Sequence, residues 1–285
     1  MNPALLDLLA WHLGSNRLLD MTTLQVADVM RVMAARYPLE TAEEWDSVGL
    51  VVGDLDAPVS RVLFTVDVTP DVVDEAIASG AQMIIAHHPL LLRGVTSVAT
   101  TGIKGRIVSK LIKHGIALYT AHTNADVAWP GVSDAIALEL GLEVAAGVSL
   151  SGTGVGRVGT LPVPVTLREF AQIVSSKLPQ TARAINLSGD LDALVTTVAV
   201  CGGAGDSLLD VVAVLEVDVY VTSDLRHHVA QEFSLTSECA LIDVSHWAAE
   251  WLWLPQAAQL LQQDLDGNVV VDVSTSITDP WTHSQ

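Results

Sequence analysis

The chain has 285 residues, half of them hydrophobic, and sets 14 Lys and Arg against 33 Asp and Glu for a formal net charge of −19. That balance excludes broad electrostatic affinity for nucleic acid or for an anionic membrane. Although the mean hydropathy is +0.42, no apolar run approaches the ~20 residues a membrane helix needs.

Cys201 and Cys239 are the only cysteines, too few for a disulfide framework or a Cys-rich metal site, so buried free thiols in a reducing cytoplasm are expected. Length predicts about two domains at roughly 150 residues each. Residues 1–20 read as an N-terminal extension. They lack a basic n-region and a small-residue cleavage site and carry Asp7 and His12, so export is rejected, and Met21 is a second candidate start. A first α/β domain is expected over 21–148 and a second over 149–285, the C-terminal helix or strand being free to pack back on the first.

Thr22-Thr23 followed by Leu24, Val26, Val29, Met30 and Met33 predicts a capped amphipathic helix that Pro38 has terminated. Glu44 to Asp54 is an acidic-aromatic entry into a short strand closed by a Gly-Asp turn. Val62 to Val68 reads as a strand, and Thr69 with Pro70 opens a helix that Gly80 closes. The next apolar run, Met83-Ile84-Ile85-Ala86, ends in His87-His88-Pro89, which places two imidazoles at the carboxyl end of a buried parallel strand. Lys104 to His114 predicts a helix stopped by Gly115, and Ile116 to Ala121 a strand ending at His122-Thr123-Asn124-Ala125-Asp126. A helix over Asp134 to Leu140 closes this half.

From Gly141 to Pro164 the texture of Gly, Ser and small residues reads as a domain connection rather than a packed element. Thr166 and Glu169 form a capping box for a helix to about Leu178. The second half then repeats the plan. Val195 to Val200 is a strand, Gly202 to Asp206 a glycine turn, Ser207 to Leu215 a helix, and Val217 to Val221 a strand leading to Asp224, His227 and His228. Leu241 to Val244 runs into Ser245-His246-Trp247-Ala248-Ala249-Glu250 and a helix to about Gln263, with a last strand at Val269 to Val273. The fold class is therefore α/β, two similar domains with mostly parallel sheets and a site in the cleft between them.

Ser245 is a good N-cap, which sets His246 and Glu250 one turn apart on one helix face, where imidazole and carboxylate can share a cation. Singly, each polar segment also has an ordinary structural reading. What favours chemistry is that all of them lie at strand ends in βα order. Asp46, His122, Asp224, His227 and His228 are further candidates for orienting ligands or substrate.

Trp45-Asp46-Ser47-Val48-Gly49-Leu50, Ala86-His87-His88-Pro89, His122-Thr123-Asn124-Ala125-Asp126, Val200-Cys201-Gly202-Gly203-Ala204-Gly205, Thr222-Ser223-Asp224 and Asp243 to Glu250 occur in one order along the chain. In this the chain resembles the YbgI-type family, whose bacterial members carry the label GTP cyclohydrolase 1 type 2 homolog and whose eukaryotic members are NGG-interacting-factor-like proteins. The resemblance runs from about Met21 to Gln263. It implies two divalent metal ions per chain on His87, His88, Asp126, His246 and Glu250. Glu250 would bridge, with His88 and Asp126 on one ion and His87 and His246 on the other. Zn, Mn and Fe all suit imidazole and carboxylate ligands. Ser245 stands where the family usually has glycine, and Ser223-Asp224 where Gly-Glu or Gly-Asp is usual.

The resemblance further implies a toroidal homohexamer, a trimer of dimers. It implies metal-dependent hydrolysis of a small anionic purine-like substrate, as in a GTP cyclohydrolase, with a dinuclear-metal-bound hydroxide opening the guanine ring at C8. A reading from another class is a non-catalytic metal-binding scaffold or regulatory protein. Five basic residues, Arg93, Lys104, Arg106, Lys110 and Lys113, fall within 21 positions free of Asp and Glu. Arg93 and Lys104 are expected to form a positive rim for an anionic ligand such as a nucleotide, the plainer reading being a solvated helix face.

Overall fold

In the computed structural model, which describes residues 23–145 and 149–284, helix α1 (Val26–Arg36) buries Val26, Val29, Met30 and Met33 along one face. The expected cap at Thr22-Thr23 does not start it. Thr22 and the extension over 1–20 lie outside the described residues. The helix begins later, where the Gln25 N–H donates to Asp28 at 2.9 Å and the Val26 and Ala27 N–H groups donate to the Ala57 and Leu55 carbonyls.

Strand β1 (Gly49–Val52) is followed by β2 (Arg61–Thr65), helix α2 (Pro70–Ser79), β3 (Met83–Ala86), helix α3 (Ile103–His114) and β4 (Ala117–Thr120). Thr69 caps α2 by accepting from the Val72 N–H at 3.3 Å, and Gly80 and Gly115 end α2 and α3 in the left-handed region. β2, β3 and β4 are parallel neighbours, and every residue of β3 and β4 is buried, as expected of strands covered on both faces. β1 closes the edge antiparallel to β4. Short helices α4 (Thr123–Val127) and α5 (Val132–Glu139) follow.

The stretch read as a connection between Gly141 and Pro164 instead contributes strands β5 (Glu143–Val144) and most of β6 (Arg157–Thr166). The reason it is hard to read is local. Arg157, Gly159 and Leu161 are the inward positions of β6, and only one of them is a large apolar residue, so the period-two signal is faint. Pro162 and Pro164, which cannot donate to a ladder, sit where the pairing shifts register between Thr160 and Val165.

Helix α6 (Leu167–Lys177) opens at the Thr166 and Glu169 capping box. Edge strand β7 (Asn186–Ser188) precedes β8 (Leu194–Ala204), helix α7 (Leu209–Val214), β9 (Val219–Ser223), helix α8 (His227–Thr236) and β10 (Ala240–Val244). The glycine turn expected at Gly202 starts later, because Gly202 and Gly203 belong to β8. The second sheet has the order β5-β6-β8-β9-β10-β7, its three central strands β8, β9 and β10 being parallel.

Helix α9 (His246–Trp251), helix α10 (Trp253–Asp264) and β11 (Val270–Val273) are the last regular elements among the described residues. β11 pairs in parallel with β2, so the first sheet reads β1-β4-β3-β2-β11 and the chain ends on the half where it began. One apolar cluster joins Phe64, Ile85 and Tyr119 of the first sheet to Val198, Val221 and Ile242 of the second through Ile136, Trp253 and Leu261 of the helices. Arg157, only 3% exposed, is bound through Nε and Nη2 to Asp134 at 2.8 and 2.7 Å and so locks α5 to β6. Both cysteines are buried and unpaired, and burial pushes the Cys201 thiol up to about 12. No described helix is long and apolar enough to cross a membrane.

Candidate metal centre

The segments that leave the carboxyl ends of the two parallel strand sets meet, which is where open α/β sheets build their sites. His87 and His88 follow β3 directly, and their N–H groups donate to the Thr65 and Val66 carbonyls. Successive side chains on a strand point apart. The chain bends at His87 and His88, and the two rings lie 5.1 Å apart. His122 follows β4, Asp126 lies on α4, and His246 and Glu250 are one turn apart on α9, whose N-cap Ser245 accepts from the Ala248 N–H at 3.2 Å.

Four imidazoles share one arrangement. The Nδ1 of His87 donates to the Ala121 carbonyl at 3.0 Å, that of His88 to Asp67 at 2.8 Å, that of His246 to Asp224 at 2.8 Å, and that of His122 to Asp46 at 2.8 Å. The Ala121 carbonyl can only accept, which fixes the His87 tautomer and turns its Nε2 lone pair inward. The carboxylate partners favour the same tautomer in the other three rings. Asp46 also accepts from the Thr123 N–H at 3.0 Å and hydroxyl at 2.5 Å. Burial pushes the Asp46 carboxyl up, but the bonds from His122 and Thr123 outweigh this and hold it well below the usual carboxylate range.

The inward nitrogens converge on Glu250, which is 3% exposed. Its Oε1 lies 2.9 Å from His246 Nε2 and 3.4 Å from His87 Nε2, and its Oε2 lies 2.9 Å from His88 Nε2. His87 Nε2 is also 3.7 Å from Asp126 Oδ1, and the Nε2 atoms of His88 and His246 are 3.3 Å apart. A ring nitrogen of His122 comes within 4.8 Å of ring nitrogens of His87 and His88. The buried His87 Nε2 has no hydrogen-bond partner, although it faces Glu250 Oε1 at 3.4 Å and Asp126 Oδ1 at 3.7 Å. A buried imidazole nitrogen without a partner, facing carboxylate oxygens, is poorly compensated by protein alone and well compensated by a cation, so the residues fit a metal ion. The short distances group His88 with His246 and His87 with Asp126, a different grouping from the one the family resemblance implies.

Among the protein groups alone, the charges settle on these rings. Burial lowers the His246 pKa, but Glu250 and Asp224 raise it to about 10. Burial is likewise overcome in His88 by Glu250 and Asp67, which hold it well above the ordinary value. Burial pushes Glu250 up, and the three facing imidazoles hold it well below the carboxylate range.

Gly203, at φ +70°, passes directly under this cluster. A Cβ there would stand 2.7 Å from Glu250 Oε1 and 3.5 Å from His246 Nε2. Gly203→Ala is therefore expected to weaken metal binding about tenfold while leaving the fold intact, by displacing Glu250 and straining a left-handed position. Competition with a chromogenic chelator measures it, and wild-type affinity would refute it.

A cleft of about 330 Å³ opens beside His88 and His246, walled by Asp67, Arg183, Asp224 and the chain from Thr278 to Trp281. Sequence reading passed over Asp67, Arg183, Thr278 and Asp279. Asp67 had a signal, an acid just past a strand end like the histidines, whereas Arg183 sits in an irregular stretch. Arg93 is exposed on the loop after β3, Lys104 is half-buried on the first turn of α3, and Lys110 pairs with Asp74. None of these three lines that cleft. His227 and His228 are exposed on α8 and meet edge to face, 5.1 Å between ring centroids.

A family model described as Duf34/NIF3 (NGG1p interacting factor 3) matches residues 24–280. A Streptomyces coelicolor protein named GTP cyclohydrolase 1 type 2 homolog is 47% identical over 267 residues, covering 90% of this chain and 94% of the relative. A Mycobacterium tuberculosis protein of the same name is 36% identical over 369 residues, covering 91% of this chain and 97% of the relative. Among solved structures, a Bacillus cereus protein related to NIF3 has a TM-score of 0.84 at 27% identity, covering 92% of this chain and 100% of that one. The protein ybgI, described as of unknown function, has a TM-score of 0.74 at 23% identity, covering 88% and 97%, a likeness of fold alone.

Proposed function

The chain belongs to the Duf34/NIF3 (NGG1p interacting factor 3) family, and from that premise we propose a metal-dependent hydrolase of a small anionic, purine-like substrate. The observation that carries the reading is the convergence of three Nδ1-anchored imidazoles, His87, His88 and His246, on Glu250, with Asp126 beside His87. His87, His88, Asp126, His246 and Glu250 would hold two divalent ions per chain, Zn, Mn or Fe, with Glu250 bridging. Two such ions supply Lewis acidity and lower the pKa of water near neutral pH. The chain's own residues do the rest. Asp67, Asp224 and the Ala121 carbonyl orient the imidazoles, Trp253, fully buried 5.4 Å from the His87 ring, keeps water from behind it, and the cleft admits the substrate. His122, oriented by Asp46 and placed beside His87 and His88, offers a further inward ring nitrogen to the centre.

The test is metal-reconstituted protein incubated with GTP, followed by pterin fluorescence and by chromatography for a ring-opened purine. Product that depends on metal and disappears in His246→Ala is expected. Metal-loaded protein that converts no purine nucleotide returns the chain to the metal-binding scaffold or regulatory reading. Arg93 and Lys104 are the proposed rim for the anionic end. The Arg93→Ala/Lys104→Ala double variant should bind GTP severalfold more weakly, more so at low salt, with metal content unchanged. Equal affinity would return both to the solvated surface.

Self-association belongs to the same reading. Leu92, Val95, Val98 and Ile103 are 39%, 41%, 52% and 49% exposed along the loop after the metal ligands and the start of α3, a run of apolar surface suited to a copy of the chain. Light scattering is expected to give an oligomer, a trimer of dimers, and a monomer at micromolar concentration would refute it.

A further inference from the structure

Among the described residues, the chain past β11 has no regular secondary structure, yet it is held at several points. The Ser274 N–H donates to the Phe64 carbonyl at 2.8 Å, and the Ser274 carbonyl accepts from Trp251 Nε1 at 3.0 Å. The Ser274 and Ser276 hydroxyls both donate to Glu75 Oε2, at 2.6 and 2.8 Å. The segment then reaches the metal centre. The Thr278 hydroxyl donates to Asp67 Oδ2 at 2.5 Å, and the other oxygen of that carboxylate holds His88 Nδ1. One residue later Asp279, 7% exposed, accepts the hydroxyl proton of Ser245, the N-cap of the helix that carries His246 and Glu250. Asp279 is itself held by the Trp281 N–H at 2.8 Å.

These two bonds end on segments that leave different sheets. Asp67 and His88 follow β2 and β3 of the first sheet, whereas Ser245 and His246 follow β10 of the second. We infer that Ser274–Asp279 is a strap that positions the metal centre from outside both sheets, Thr278 fixing the carboxylate that aims His88 and Asp279 fixing the helix start that aims His246 and Glu250. The Ser245 hydroxyl accepts from Ala248 N–H and donates to Asp279, so its orientation is determined by both. A carboxylate behind a metal-binding imidazole sets ring direction and basicity, and disturbing that layer typically weakens metal binding 10–100-fold. Thr278 and Asp279 are positioning residues. The inference rests on the metal reading above but not on turnover.

The test uses the full chain and the metal alone, Zn²⁺ or Mn²⁺, with affinity read by chelator competition and folding by circular dichroism. Thr278→Val keeps the shape and removes the hydroxyl, and it should weaken binding about tenfold or more, as should Asp279→Ala. Thr278→Ser restores the hydroxyl and should restore affinity. Ile277→Ala, at a side chain 60% exposed in the same segment, should bind metal like the wild type. Ser274→Ala/Ser276→Ala cuts the strap's anchor on Glu75 away from the centre and should lower thermal stability with a smaller loss of metal affinity. Folded Thr278→Val and Asp279→Ala proteins with wild-type affinity overturn the strap alone. Loss of affinity that merely tracks the melting temperature across all variants overturns it too. Wild-type protein that takes up no metal overturns the metal reading itself, and the strap with it.

Discussion

Replacing Glu250 by alanine is expected to strip the protein of metal while leaving it folded. Glu250 is the one carboxylate within 3.4 Å of the inward nitrogens of His87, His88 and His246, so both proposed ions lose their shared ligand at once. The drop in affinity should exceed the 10–100-fold that follows from disturbing a supporting residue. Removing one partner of a buried ion pair usually costs about 3–5 kcal/mol because a charge is left behind. Here the remaining partners are imidazoles, which shed their protons when the carboxylate is gone, so the cost to folding should be smaller. Elemental analysis of the purified variant, beside its thermal melt, measures both effects. A Glu250→Ala protein with its full metal content would remove Glu250 from the centre.

Metal affinity should rise steeply with pH, because the imidazoles that would bind the ions are the ones Glu250 keeps protonated. His246 is raised to about 10 and His88 is well above its usual value, and a metal must displace those protons to reach the lone pairs. For each displaced proton the apparent affinity climbs about tenfold per pH unit from neutral toward pH 10. Calorimetry in buffers of different ionisation enthalpy should show at least one proton released, and a flat profile between about pH 6.5 and 9 would contradict it. The same groups set the stability of the metal-free protein. The folded His246 pKa lies above its unfolded value of 6.5, so its stabilising contribution is complete below 6.5 and is lost as pH rises toward 10. Glu250 lies below its unfolded 4.5, so its contribution is present above 4.5 and is lost as pH falls through the depressed folded value. Metal-free protein should therefore melt lower above neutral pH, and loading with metal should remove that decline.

Much of the centre could be read from residues close together in sequence. A buried apolar run ending in His87-His88-Pro89, a second ending at His122, and His246 with Glu250 one turn beyond the Ser245 cap are local patterns, governed by strand alternation, helical period and capping. The helix caps at Thr69, Gly80, Gly115 and Thr166 were legible for the same reason. Period and capping involve neighbours within about four positions, so any reading of the chain carries them.

Tertiary structure decided what joins distant positions. β6 reads as a connection because its inward face holds Arg157 and Gly159 and its outer end holds two prolines, so only pairing with β8 shows it to be a strand. The grouping of His88 with His246 joins residues 158 positions apart, and the Thr278 bond to Asp67 spans 211. Arg183, Thr278 and Asp279 carry no spacing that marks them as parts of the site or as supports for a helix start. A hydrogen bond between remote residues leaves no period in the sequence, and it exists here because β11 returns to β2 and lays the last residues across the mouth of the site.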